Sequence, residues 1–103
     1  MAAAMTDEIV TGPLGDLRGQ LADLEAEIAR IERERSALRA QFQAIEDRAM
    51  TAVRAGDDSS AKIALEELQA AVEMDALLDA DLTVLRATAA EARDFLLTLG
   101  PKP

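Results

Sequence analysis

Apolar residues recur at alternating spacings of three and four along nearly the whole chain, and this regularity constrains the fold more than any other feature. The first series runs through Leu14, Leu17, Leu21, Leu24, Ile28, Ile31, Leu38, Phe42, Ile45, Ala49 and Ala52, interrupted only by Arg35. The second runs through Ala64, Leu68, Ala71, Leu78, Leu82, Leu85, Ala89, Ala92, Leu96 and Leu99, interrupted only by Asp75. On a helix such spacing gathers the side chains into one stripe. Heptads sustained this far argue for a coiled coil over an ordinary surface helix.

Gly and Pro punctuate the pattern in three places. Thr11-Gly12-Pro13 suits a helix start, with Pro at the first helical position and Asp16 near the positive end of the dipole. Gly56-Asp57-Asp58-Ser59-Ser60 suits a turn, in which Gly56 takes a left-handed conformation and Asp58 or a following Ser caps the next helix. Leu99-Gly100-Pro101 suits a stop. The punctuation predicts a flexible segment over 1–12, a helix over about 13–55, a turn over 56–60, a helix over about 61–99 and a tail over 101–103. Ile9 and Val10 could fold back onto the open end. The expected fold class is all-α: an antiparallel two-helix coiled-coil hairpin, dimerising into a four-helix bundle.

An antiparallel register can be tested on the residue numbers, because facing pairs must share one sum. Ala52–Ala64, Ile45–Ala71, Leu38–Leu78 and Leu17–Leu99 do so, and Ala49–Leu68, Arg35–Leu82, Ile28–Ala89 and Leu21–Leu96 share a sum one higher. Half of either sum falls on the Gly56–Ser60 turn, chosen on separate grounds. Several layers, such as Ile45–Ala71, Ile28–Ala89 and Leu24–Ala92, set a large residue against a small one, which suits close packing. The flanks agree. Glu25 falls beside Arg93, Glu32 beside Arg86, Arg39 beside Asp79 and Arg48 beside Glu67, with Val53 meeting Leu65 near the turn; Glu34 against Asp81 is the unfavourable pair. Exposed pairs of this kind contribute well under ~1 kcal/mol each, so they select the register more than they hold the fold.

Composition narrows the chemistry. The 103 residues carry 11 Lys/Arg against 20 Asp/Glu, a net charge of -9, with no Cys, His, Trp or Tyr. Thiol and imidazole chemistry is therefore excluded, and a zinc site would need carboxylates alone. No catalytic residue, cofactor or metal site is expected, and the chain is expected not to be an enzyme. The acidic balance opposes direct nucleic-acid binding, and two Phe give no stacking platform. The start of the chain has no basic region before its first apolar run. No stretch approaches the roughly 20 apolar residues that cross a bilayer. A cytoplasmic protein is the expectation.

Three features bear on function. Arg35 and Asp75 occupy core positions, with Arg39 and Asp79 one turn away. The register gathers these four into one cluster, in which Arg35 reaches Asp79 and Arg39 reaches either acid. A partly buried ion pair penalises slipped alternatives, whereas two arginines leave too little net charge for a cation. The second feature is a surplus apolar stripe on the second helix: Ile63, Ala70, Met74, Leu77, Val84 and Phe95 lie outside the seam. An apolar patch of that length marks a partner surface, and two helices alone form a thin core. The expected partners are a second copy, as a homodimer or higher, and another protein.

The third feature is the acidic tip, Asp57 and Asp58. Such a pair is ordinarily a solvated turn that caps the next helix. Gly56-Asp57-Asp58-Ser59 also resembles the tip of the Gre transcript-cleavage factors, which present acids on an antiparallel hairpin; the resemblance, confined to these residues, implies help in holding a magnesium ion in RNA polymerase. Small helical hairpins exported by type VII secretion are similar in outline, but they carry Trp-x-Gly where this chain has Arg54-Ala55-Gly56. Half-ferritins are also similar in outline, but they hold iron through His residues that this chain lacks. Residues 61–99 hold eight acids against Lys62, Arg86 and Arg93, a net charge of -5. The function expected is that of an adaptor, assembly factor or small chaperone acting through the apolar face. The alternative is an acidic inhibitor that occupies a basic site on a nucleic-acid-binding enzyme.

Overall fold

The structure, a computed structural model, describes residues 14–99. Two helices pack against each other: α1 (Gly15–Arg54) and α2 (Asp58–Leu99), of 40 and 42 residues. Among the described residues there is no strand. Both helices are rich in Ala, Leu, Glu and Arg, the strong helix formers. Asp16 and Asp58 sit in first turns and Arg54 in a last turn, so each favours the macrodipole. The expected start at Gly12-Pro13, the stop at Gly100-Pro101, and Ile9 and Val10 all lie outside the described residues.

The connection is tighter than the sequence suggests. Gly56, at φ 73°, is the left-handed residue that ends α1. Its N–H donates to the carbonyl of Val53 at 3.1 Å, and the N–H of Asp57 donates to that of Ala52 at 2.9 Å. These two bonds satisfy carbonyls that the helix end would otherwise leave open. Asp57 then starts α2. Its carboxylate accepts from the backbone N–H of Ser60 at 3.1 Å and from the Ser60 hydroxyl at 2.7 Å, and its carbonyl accepts from the N–H of Ala61 at 3.0 Å. The cap is therefore Asp57 rather than Asp58 or a serine, and Asp58, Ser59 and Ser60 already belong to the helix. Only Ala55, Gly56 and Asp57 separate the two helices.

Contacts divide the chain into two compact units, Arg30–Leu82 and Met1–Ala29 with Thr83–Pro103. In a helix pair each residue touches only its own neighbours and those directly opposite, so no single centre gathers the whole seam. In the unit holding the turn, Ile45, Ala49, Ala64 and Ala71 form a buried cluster against which Leu38, Phe42 and Leu68 pack. Ile31, Ala52, Ala61 and Leu82 are buried in the same unit, Leu82 to 1% exposure. In the other unit Ile28 and Ala89 are buried, with Leu14, Leu17, Leu21, Leu24, Leu85, Ala92 and Leu96 half-buried.

Every described seam position of α1 is thus buried or half-buried, and α2 departs once. Leu99, expected opposite Leu17, is 51% exposed, at the last of the described residues. Among the described residues six of the ten buried apolar side chains are alanines (Ala49, Ala52, Ala61, Ala64, Ala71 and Ala89), small enough for close backbone approach but adding little buried area each.

Candidate functional site

The Arg35–Asp75 pair sits in the turn-proximal unit, where the apolar series of each helix is broken once. Arg35 donates through Nε to Asp75 Oδ1 at 2.8 Å and through Nη2 to Oδ2 at 3.4 Å, while its Nη1 reaches Asp79 Oδ1 at 2.8 Å. Arg39 donates to the same Asp75 carboxylate from Nε at 3.1 Å and from Nη2 at 3.2 Å. The sequence places these four together; the structure adds that Asp75 takes both arginines. Arg35 and Asp75 keep 20% and 14% of their side-chain surface, whereas Arg39 and Asp79 are exposed.

Charge follows geometry. Hydrogen bonds from Arg35, then Arg39, hold the Asp75 carboxyl down at about 2, against a burial effect that opposes them. The hydrogen bond to Asp75 raises Arg35 above its ordinary value. Among the described residues no buried side-chain nitrogen or oxygen lacks a hydrogen bond, and no group of three or more His, Cys, Asp or Glu is placed to hold a metal. The cluster is saturated with its own partners.

Asp57 is likewise occupied. Its carboxylate accepts the two Ser60 hydrogen bonds, the hydroxyl bond being the larger cause of a pKa below the ordinary aspartate value. Asp58 is exposed in the first turn of α2. The tip is thus built as a helix cap.

The flanking pairs confirm which columns face each other. Arg93 Nε lies 3.5 Å from Glu25 in one unit, and Arg48 Nη2 lies 2.6 Å from Glu67 in the other. Glu34, foreseen against Asp81, pairs with Arg30 one turn away on its own helix. Val53 and Leu65 stay more than half exposed.

All six stripe residues are exposed, Leu77 at 61%. Ile63, Ala70, Met74 and Leu77 belong to the turn-proximal unit, where successive members lie one or two helical turns apart. Val84 and Phe95 belong to the other unit and stand about three turns apart, with Thr88 and Glu91 between them.

Beside Ile63 a groove opens between the helices, lined by Arg48, Thr51 and Ala55 of one side and Asp57, Ser60 and Ile63 of the other. The sequence alone drew no attention to its α1 wall. Thr51 belongs to that wall; Ala44 and Ala37, one and two heptads before it, share its face of α1 and are exposed, and that spacing was the available signal. Leu65, Val72 and Leu97 are further exposed apolar residues of α2 outside the expected stripe.

Among the described residues no helix is long and apolar enough to cross a membrane. No protein family, no curated protein and no solved structure matches the chain.

Proposed function

We propose that this protein is a non-enzymatic interaction module, an adaptor, assembly factor or small chaperone, whose α2 outer face receives another helix-bearing chain. One observation carries this proposal: of eleven large apolar side chains exposed among the described residues, nine lie on α2 and two, Met50 and Val53, on α1. Scattered exposed apolar residues are normal on any protein, but scatter would not favour one helix so heavily. The occupant is either a second copy or a different protein.

Leu77→Glu combined with Val84→Glu tests the proposal, because both side chains are exposed and the helices should form regardless. Loss of self-association in sedimentation, or of a defined partner in affinity capture, is the expected result. Unchanged association by both measures rejects it. Binding that survives these substitutions yet fades with added salt would favour the second reading, an acidic mimic seated in a basic site of a nucleic-acid-binding enzyme. The charge of α2 is the observation behind that alternative.

A further inference from the structure

Within the turn-proximal unit the charge is divided by helix. Residues 58–82 carry seven acids and one base, Lys62, whereas residues 30–54 carry six arginines and four acids. Glu66 and Glu73 are exposed on the side of α2 that borders Ile63, Ala70, Met74 and Leu77, and no Arg or Lys lies between them.

The exposed face of α2 that runs on from the groove at Ile63 has the pattern of a helix seat. Ile63, Ala70, Met74 and Leu77 repeat the three-and-four spacing of a seam, on a face of α2 that α1 leaves uncovered. On α1 the heptad register puts the small exposed residues Ala37, Ala44 and Thr51 on one face, next to the column of Arg48, which pairs with Glu67. Large side chains on one wall and small ones on the other let a third helix settle close to both.

From this geometry we infer that the groove takes a cationic amphipathic helix of another protein, its apolar stripe on Ile63, Ala70, Met74 and Leu77 and its Lys or Arg flank against Glu66 and Glu73. The inference rests on the interaction-module reading above and names its partner. A second copy is disfavoured by charge. Laid α2 to α2, it brings no cationic flank, since residues 58–82 hold Lys62 as their one base and Glu66 and Glu73 would meet another acidic helix; laid α2 to α1, it meets a helix with only Met50 and Val53 as large exposed apolar residues. Residues 1–13 of the chain itself carry Asp7 and Glu8 and no Lys or Arg, so they too lack the complement.

The experiment titrates the full chain with two synthetic helices of about 21 residues, three heptads, sharing a Leu seam. One has Lys on its flank and the other Glu. The Lys-flanked peptide should bind at least about tenfold more tightly, and less so as salt rises. Leu77→Glu or Ala44→Arg should each weaken it by about tenfold or more, while Val72→Glu, on the opposite side of α2, leaves it unchanged. Glu66→Lys with Glu73→Lys should reverse the preference between the peptides.

Absence of any preference, or binding indifferent to both Leu77→Glu and Ala44→Arg, overturns the inference. If the chain instead sediments as a dimer that Leu77→Glu dissolves, the cationic helix is rejected while the module reading stands. If neither peptide binds and no association depends on Leu77, both fall.

Discussion

The two helices share an inner face and differ in the outer one. Inward, each presents a seam of Leu, Ile and Ala broken by one charge, Arg35 on α1 and Asp75 on α2. Outward, α1 shows mainly Arg, Glu, Gln and Ala, whereas α2 shows Ile63, Leu65, Val72, Met74, Leu77, Val84, Phe95 and Leu97. A helix that only completes a pair needs one apolar stripe. The difference teaches that the inner faces account for the hairpin and leave the exposed apolar side chains of α2 without a role in it, which is the surplus that the proposed interaction module would use.

The strongest way to break this contrast is to compare two leucines of α2. Leu82→Ala, at a position 1% exposed, should cost about 3 kcal/mol in urea unfolding. Leu77→Ala, at 61% exposure, should fall within about 0.5 kcal/mol of the parent. Equal losses would mean that the outer face also holds the fold, and the contrast would vanish.

A smaller effect is expected at the turn that sets the two helices side by side. Gly56→Ala meets no neighbour within 4 Å, so its cost is that of the left-handed backbone alone, about 1 kcal/mol by the same unfolding measurement. A much larger loss would place a hidden contact at the tip.

The gentlest probe is pH. Asp75 titrates at about 2 in the folded chain against an ordinary 3.8, so it stabilises the fold fully above the unfolded value. That contribution disappears as pH falls through the folded value, and Asp57 acts in the same direction. Melting followed from about pH 5 to about pH 2 should show a decline that is shallower in Asp75→Asn, already less stable at neutral pH. Identical slopes would show that the cluster joining the inner faces is electrostatically idle.

Much of the hairpin was legible because a three-and-four spacing has few solutions, and the register followed from residue numbers alone. Arg48–Glu67 and Glu25–Arg93 fall where that arithmetic puts them. Legibility failed where local geometry competes with pattern. Asp57 and Asp58 are chemically alike, and only the bonds to Ser60 and Ala52 show which one caps. Likewise Asp75 is nearly equidistant in sequence from two arginines, and side-chain reach decides that it takes both. The α1 wall of the groove went unnoticed because Thr51 and Ala55 look like filler until the turn at Gly56 brings Ser60 and Ile63 beside them.

The three-residue connection has a consequence for how such a chain can change length. Asp57 is bound backward to Ala52 and forward to Ser60, so there is no slack to absorb an added residue. One inserted amino acid in either arm rotates everything beyond it by about 100° and swings Leu and Ile out of the seam. Growth or shrinkage is therefore tolerable only in matched steps on both arms. The molecule can be lengthened like a zip, tooth for tooth, and not like a rope.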